Sequence, residues 1–509
     1  MKKYDVIIVG SGSGTIVLEA ALNQGLKCAL IEKGKFGGTC LTRGCIPTKI
    51  LVTAADYIRE IDEMSHVGLN VSNVSMDWAT ISKRVWQKIN LSKDILANYQ
   101  KTLNLDLYQG EAKFTSDKSM TVLYDDGSTS QEITADKILI AVGARSKIPQ
   151  LPGLEETGYL SSESFFGDKY PTTPPQSLII VGGGPIGTEF AHIFAAAGTK
   201  VTLVQHNVRL LPKEDADISE RILSILRHSG IDVRLNISTR SIHKQGDKKV
   251  LVCAERSTGE EFNLVADEIL FASGVTPNTD TLNLSKTSLE TDKSGYIITN
   301  EFLETSINGV WACGDVNGQP AFRHKANYEA EIIAHNLFTN NSIDNMRWAR
   351  YDLVPAVTFT YPQVAHVGLT EQQAKDKGHN VKTGLHKFSD TAKGFALGLE
   401  PGSPYDGFAK IVVDEHSYNI LGMHIIGPQA SILIQPFVNL LNAGPITLTP
   451  INEHIASPTT IQLRKMPLKR NLEPHSVLSV GETMTPHPAL SEVPMWTKYY
   501  FEEENTNSH

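Results

Sequence analysis

Cysteine is scarce in this chain: five residues in 509, Cys28, Cys40, Cys45, Cys253 and Cys313. That is too few for the disulfide-dense scaffold of a small secreted domain, and only Cys40 and Cys45 are close in sequence. Long apolar runs are missing as well. The stretch Val6 to Val9 behind Lys2 and Lys3 is too short for the hydrophobic region of a signal peptide and stops at Gly10-Ser11-Gly12. Nothing later approaches the ~18 apolar residues that a membrane span needs. Charge of one sign is not concentrated either: 47 Lys and Arg against 56 Asp and Glu give −9 without long runs, so the basic footprint of a nucleic-acid binder is absent. Together these absences predict a soluble, cytoplasmic protein whose partners are small molecules or proteins, with no nucleic acid and no membrane.

At roughly 150 residues per domain, the length predicts about three domains. Tyr4 to Val9 is a β-branched run that meets Gly10. Ile16 to Asn23 then reads as a helix and Lys27 to Ile31 as a second strand, a βαβ unit. A second copy starts at Ser177 to Val181, turns through Gly182 to Gly187, continues as an apolar helix to Ala197 and returns as Lys200 to Val204. Two buried strands running into glycine, Lys137 to Ala144 and Glu268 to Gly274, close the respective units, and a proline follows each (Pro149, Pro277). The proline-rich segment Tyr170 to Pro175 sits just before the second unit, where an interdomain joint is expected. Helical periodicity marks Ile50 to Ile61 and the stretch Trp78 to Tyr99. From about Tyr351 alternating strands take over, including Pro355 to Thr360 and Gly407 to Val413. The predicted class is α/β, with two Rossmann-like dinucleotide-binding domains and a C-terminal α+β domain.

The first glycine run, Gly10-Ser11-Gly12-Ser13-Gly14-Thr15, would set a pyrophosphate against backbone N–H groups at a helix N-terminus. Its third position is Thr15, where a glycine normally permits close helix–strand packing. Glu32 ends the second strand, where a carboxylate accepts a ribose diol. In the second run Gly182, Gly184 and Gly187 all match GxGxxG, but the acid is replaced by Gln205. A neutral Gln205 with His206 and Arg209 behind it removes the repulsion a carboxylate would exert on a 2′-phosphate, which leans towards NADP. His206 and Arg209 read equally well as solvated turn residues.

Cys40 and Cys45 lie in Gly37-Gly38-Thr39-Cys40-Leu41-Thr42-Arg43-Gly44-Cys45-Ile46-Pro47-Thr48-Lys49. Five residues of ideal helix rise about 7.5 Å, beyond disulfide reach, so the segment must bend, and Gly44 permits it. Pro47 suits the first turn of a following helix, which puts Cys45 at a helix N-terminus with Lys49 nearby; both lower a thiol pKa. A zinc half-site would need two further ligands at conventional spacing, which the sequence does not supply, so no metal is expected. Near the other end stands His487-Pro488-Ala489-Leu490-Ser491-Glu492, a histidine with an acid five residues on. His454 has Thr459 at that offset and is a decoy.

The segment Gly37 to Lys49 closely resembles the redox segment of the class I pyridine nucleotide-disulfide oxidoreductases, whose members include dihydrolipoamide dehydrogenase, glutathione reductase, mycothione reductase and mercuric reductase. The resemblance extends through Trp311-Ala312-Cys313-Gly314-Asp315, through Ala321 to Ala326, and through Pro355 to Pro362 with Val367 to Glu371. It implies an FAD domain over 1–150 and 277–348, an NAD(P) domain over 151–276, and a dimerisation domain over 349–509. It also implies a Cys40–Cys45 redox disulfide, with Cys45 facing the flavin and Cys40 meeting substrate. His487 becomes the base, Glu492 its orienting acid, and Lys49 with Glu189 an ion pair beside the flavin.

FAD contacts are implied at Gly10, Gly12, Gly14, Glu32, Lys33, Gly38, Thr39, Lys49, Ala112, Gly143, Asp315, Ala321 and His324. NAD(P) contacts are implied at Gly182, Gly184, Ile186, Gly187, Gln205, His206, Arg209 and Gly274. In that family a homodimer shares its active sites, the histidine coming from the partner subunit, so a monomer is expected to be inactive. The motif wording is nearest to dihydrolipoamide dehydrogenase; Gln205 departs from it and favours an NADPH-dependent low-molecular-weight disulfide reductase as the alternative. Phe501 to His509 lacks the paired cysteines of mercuric reductase, and a non-catalytic redox sensor would need neither the cysteine pair nor His487 with Glu492. Between Gly444 and Pro486 the chain carries extra sequence with five prolines (Pro445, Pro450, Pro458, Pro467, Pro474) and the cations Lys465, Lys469 and Arg470. This insertion reads as an ordered excursion or a lid, which either reshapes the substrate entrance or decorates the dimer surface; tolerance of insertions at surfaces favours decoration.

Overall fold

The computed structural model describes residues 1–339, 342–473 and 476–498. The tail Phe501 to His509 and Pro474 fall outside these residues.

The first βαβ unit forms where the apolar pattern demands it. Strand β1 (Lys2–Val9) pairs in parallel with β2 (Cys28–Glu32), and helix α1 (Gly14–Asn23) crosses between them. Ile7, Ile8, Leu30 and Ile31 are almost wholly buried, as strands covered on both faces must be. The sheet grows through Leu105–Gln109 on one side and Ile133–Ile140 on the other, and Val310–Ala312 adds in parallel to the latter. The chain therefore leaves this sheet, builds a second domain and returns. That second domain holds the parallel strands Asp232–Arg234, Lys200–Val204, Ser177–Val181 and Glu268–Phe271 in spatial order, beside a three-stranded antiparallel sheet. A short antiparallel pair, Ala144–Ser146 with Val275–Pro277, ties the outgoing and returning chain together.

The third domain is a five-stranded antiparallel sheet running from Ala356–Thr358 to Val381–Lys387, with the helices Ala430–Leu433 and Gln435–Asn442 following its strand Ile420–Gly427. The α/β class with two dinucleotide-binding units and a C-terminal α+β domain is what the structure shows. No helix among the described residues is long and apolar enough to cross a membrane.

Three local readings are refined. Helix α2 (Gly38–Arg43) precedes α3 (Cys45–Glu63), so the periodic stretch at Ile50 starts five residues earlier. The stretch Trp78 to Tyr99 is two helices, Trp78–Ile89 and Leu91–Tyr99, divided at Asn90. Thr15 does not leave the first nucleotide turn without its packing glycine, because Gly14 fills that role: a Cβ there would sit 2.9 Å from Ala141 Cβ.

Candidate active site

The break between α2 and α3 brings the two thiols together. Gly44, at φ −137° and ψ −119°, stops α2 and lets α3 begin at Cys45, with Pro47 in its first turn where no N–H is missed. Cys40 and Cys45 are free thiols here, and their sulfurs and a His487 ring nitrogen lie within 4.8 Å of one another. The Cys45 thiol is pushed down to about 6, first by a hydrogen bond from Cys40; Lys49 and His487 add to this, while burial opposes it. Cys40 moves the other way, because that same bond favours its protonated form and burial penalises its charge. Negative charge therefore rests on Cys45. Burial raises the other thiols out of reach, Cys28 and Cys253 to about 12 and Cys313 beyond that.

All three domains meet at Lys49. Its Nζ donates to Glu189 Oε2 at 2.6 Å and lies 4.4 Å from the centre of the Phe359 ring. Glu189 comes from the helix Pro185–Ala196 of the second domain and also accepts the Phe359 N–H at 2.9 Å. Phe359, from the third domain, carries no sequence signal for this role.

His487 completes the cluster. Its Nε2 stands 3.2 Å from Cys40 Sγ and its Nδ1 2.6 Å from Glu492 Oε1, so the acid fixes one ring nitrogen and leaves the other on the sulfur. In this single chain the tail that follows residue 444 brings its own His487 ring to Cys40. His324 lies behind the His487 turn. It is buried, held well down at about 4 mainly by burial, and its Nε2 meets the Pro355 carbonyl at 2.8 Å. A neutral ring donating there leaves Nδ1 to accept the His487 backbone N–H at 3.3 Å. His324 thus supports the His487 turn. His454 pairs with Glu290 on the surface, away from the thiols.

A cavity of about 1320 Å³ runs from the first glycine turn to the thiols. Gly10, Gly12, Glu32, Lys33, Gly38, Thr39, Ala112, Gly143, Asp315 and Ala321 all line it. Gly10, at φ +106°, would drive a Cβ to 2.3 Å from the Ala141 carbonyl oxygen, so only glycine makes that turn. Gly12 faces open space within 4 Å, as a backbone reserved for a ligand's close approach does. Glu32 accepts from Ser11 N–H and hydroxyl at 2.8 and 2.7 Å and from Gly34 N–H at 2.7 Å, which steers the carboxylate along the cavity rim. Burial raises the Asp315 carboxyl above its usual range. Its loop is braced from below: Glu329, wholly buried, accepts from Gly314 N–H, Asn317, Tyr351 and the equally buried Lys325. Sequence reasoning missed that brace, whose members have no common spacing.

At the second nucleotide turn Gly184, Ile186 and Gly274 line the same cavity, while Gly182 and Gly187 shape the turn behind it. A Cβ at Gly187 would lie 1.8 Å from the Gly182 carbonyl oxygen. Gln205 is pinned in the turn: its Oε1 accepts from Gly183 N–H at 3.0 Å and His206 N–H at 3.1 Å, and its amide donates to the Arg209 carbonyl at 3.2 Å. It therefore occupies the place that Glu32 holds in the first unit without the charge. His206 and Arg209 are exposed beside it.

The sequence model for pyridine nucleotide-disulphide oxidoreductases matches residues 4–330, and that of the family's dimerisation domain matches 354–465. The chain belongs to this family. It is 34% identical over 439 residues to a mercuric reductase of Staphylococcus aureus, covering 85% of this chain and 76% of that one. It is 32% identical over 505 residues to a dihydrolipoyl dehydrogenase of Bacillus subtilis, covering 96% of each. Among solved structures, the copper(II) complex of the HOCl-induced flavoprotein disulfide reductase RclA from Escherichia coli superposes with a TM-score of 0.74 at 26% identity, over 98% of this chain and all of that one. The chain is accordingly a flavoprotein disulfide oxidoreductase of the class that uses FAD and NAD(P)H. The open approach at Gly12, the braced Asp315 loop and the length of the cavity fit FAD, and the turn at Gly182 to Gly187 fits the nicotinamide nucleotide.

Proposed function

We propose that this chain moves electron pairs between a nicotinamide nucleotide and a dithiol or disulfide, with a dihydrolipoyl group as the substrate class. The contact of Cys40 with His487, backed by Glu492 and set beside a thiolate-stabilised Cys45, carries this reading. Bound FAD supplies the two-electron link between hydride and sulfur. In the dithiol-oxidising direction, His487 Nε2 takes a proton from a substrate thiol, and the substrate thiolate attacks Cys40 Sγ of the Cys40–Cys45 disulfide. The Cys40–Cys45 bond breaks, Cys45 leaves as the thiolate its surroundings favour, and a mixed disulfide joins Cys40 to substrate. The second substrate thiolate then attacks the substrate sulfur of that mixed disulfide. A cyclic disulfide is released, the proton of the second thiol ends on Cys40 as it leaves, and the first proton stays on His487. Glu492 keeps the imidazolium in place throughout.

A second cavity of about 250 Å³ supports a slim, uncharged substrate. Val52, Ile432 and Leu490 line it beside Lys49 and Pro488; Lys49 is already committed to Glu189, and Asp56 to His192. No spare cation among its described lining residues awaits a substrate carboxylate. One observation favours a second reading: the neutral Gln205 suits NADPH, and with it reduction of a low-molecular-weight disulfide. Steady-state assays with dihydrolipoamide and NAD or NADP, run beside oxidised thiols with NADPH, separate the two. Turnover of dihydrolipoamide supports the first reading, and its absence with brisk NADPH-dependent disulfide reduction supports the second. The dimerisation-domain match supports a homodimer, and the reducible thiol pair suits the cytoplasm.

A further inference from the structure

We infer that Glu214, His366 and His424 form a site for one divalent late transition-metal ion, of which zinc is the probe, and that this ion ties the nucleotide domain to the sheet of the dimerisation domain. One ligand atom of each residue lies within 4.8 Å of the other two. The expectation of no metal rested on cysteine spacing, and these three residues share no spacing at all.

Strand register builds the site. Lys410, His424 and His366 are direct cross-strand neighbours on Phe408–Asp414, Ile420–Gly427 and Gln363–Gly368, so they form a row on one face of the sheet. The other face carries Ala365, Val367, Met423 and Ile425, which pack with Ala430 and Ile434. Opposite the row stands the start of the helix Ala216–His228, capped by Asp215. Lys410 Nζ is committed to Asp215, Asp217 and Glu371, at 2.9, 2.6 and 2.7 Å. His366 Nδ1 meets Glu214 Oε2 at 2.7 Å, and no other ion pair reaches that carboxylate among the described residues. Four carboxylates thus gather here around one buried lysine.

His424, in the middle of the row, is the member that ion pairing leaves unexplained. It is wholly buried, its Nε2 donates to the Leu369 carbonyl at 2.9 Å, and its Nδ1 has no hydrogen-bond partner. A ring fixed in this way presents an Nδ1 lone pair, and a carbonyl on the other nitrogen is the usual support of a metal-bound imidazole. Binding releases the proton that His366 and Glu214 share. Two imidazole nitrogens and one carboxylate oxygen then remain, a donor set that zinc takes with its fourth position open. Zinc–nitrogen bonds of about 2.0 Å space the ligand atoms of a tetrahedron about 3.3 Å apart, so the site closes on an ion with side-chain shifts of about 1.5 Å at most. Glu214 and His366 line the large cavity, which gives the ion its way in and leaves the fourth position to water. Holding Glu214 also steadies the coenzyme turn: its N–H donates to the Leu211 carbonyl at 2.8 Å, and the Leu211 N–H to that of Gly183 at 2.9 Å.

Zinc titration tests this on the FAD-loaded chain carrying Cys40→Ser and Cys45→Ser, which removes the thiols of the other cluster able to hold a metal, that of Cys40, Cys45 and His487. After dialysis against a chelator, calorimetry should find one zinc ion bound per chain, and magnesium, which prefers oxygen ligands, should not compete. Glu214→Gln keeps an oxygen to accept from His366 and should weaken zinc binding by about a hundredfold or more, beyond the cost of losing a ligand's hydrogen-bond partner. His366→Asn should do the same, and His454→Gln, at the surface pair with Glu290, should leave it unchanged. A parent that takes up no zinc, zinc held as tightly by both ligand variants, or zinc lost in His454→Gln overturns the inference. Should the ligand variants fold poorly, zinc should still shield His366 of the parent from diethyl pyrocarbonate, read by peptide mass, and a His366 modified equally with and without zinc overturns it too. None of these readouts involves turnover, so the site stands or falls separately from the proposed function.

Discussion

Replacing Lys49 by methionine should unseat the Cys45 thiolate. Lys49 lies one helical turn beyond Cys45 on α3, and its charge is among the groups holding that thiol at about 6. With such a pKa about nine-tenths of Cys45 is thiolate at pH 7. Losing an opposite charge at this range raises an acidic group by about one to three units. The thiolate fraction would then fall to about half or below, and the Glu189 carboxylate, now unpaired, would push in the same direction. The Lys49–Glu189 contact is 2.6 Å with both side chains largely buried, an attraction of about 6 kcal/mol at an effective dielectric of about 20. That attraction is offset by desolvation of both ions, so breaking one partner costs about 3–5 kcal/mol whereas removing both costs far less.

The assay is the pH dependence of iodoacetamide labelling in a Cys40→Ser background, where the serine hydroxyl still donates to Cys45. Cys28, Cys253 and Cys313 stay protonated and silent. Lys49→Met should shift the labelling midpoint up, Glu189→Gln alone should shift it down, and the pair should return most of the way. A midpoint within a few tenths of a unit of the parent for Lys49→Met, or an upward shift for Glu189→Gln, refutes this electrostatic account.

His487→Gln should lower steady-state turnover by about 10²–10⁴, the worth of a positioned general base, with FAD content unchanged by absorbance; a loss below threefold would contradict its role. Gly12→Ala meets no protein atom within 4 Å, so the chain should fold and yet purify with little flavin, and a fully yellow variant would show that the approach is made elsewhere. Gln205→Glu should reduce the NADPH-to-NADH ratio of kcat/KM by about tenfold or more, since a carboxylate beside a 2′-phosphate is repulsive; an unchanged ratio would remove Gln205 from coenzyme selection. Turnover should also fall as pH drops through about 6, where Cys45 takes up its proton, and a rate flat to pH 5 would place the functional thiolate elsewhere.

Much of the fold was legible because it is written in local periods. Buried β-branched runs ending in glycine located Lys2–Val9 and Ser177–Val181, and the spacing of Cys40, Gly44, Cys45 and Pro47 required the bend that the structure places between α2 and α3. The packing role of Gly14 was not legible because it depends on where Ala141 arrives, just after a strand more than a hundred residues away. The burial of His324 was not legible for a similar reason: its partners are the Pro355 carbonyl and the backbone N–H at position 487.

By itself the sequence determined the chemistry available: two thiols on a bend, a histidine with its acid, and two glycine turns, each defined within a few residues by backbone geometry. Only the tertiary structure decided which histidine meets which sulfur. Cys40 and His487 stand 447 positions apart, and no local period links them. Burial of the Glu189 carboxylate is likewise tolerated only beside Lys49, from a distant segment, and that pairing is a property of the folded whole.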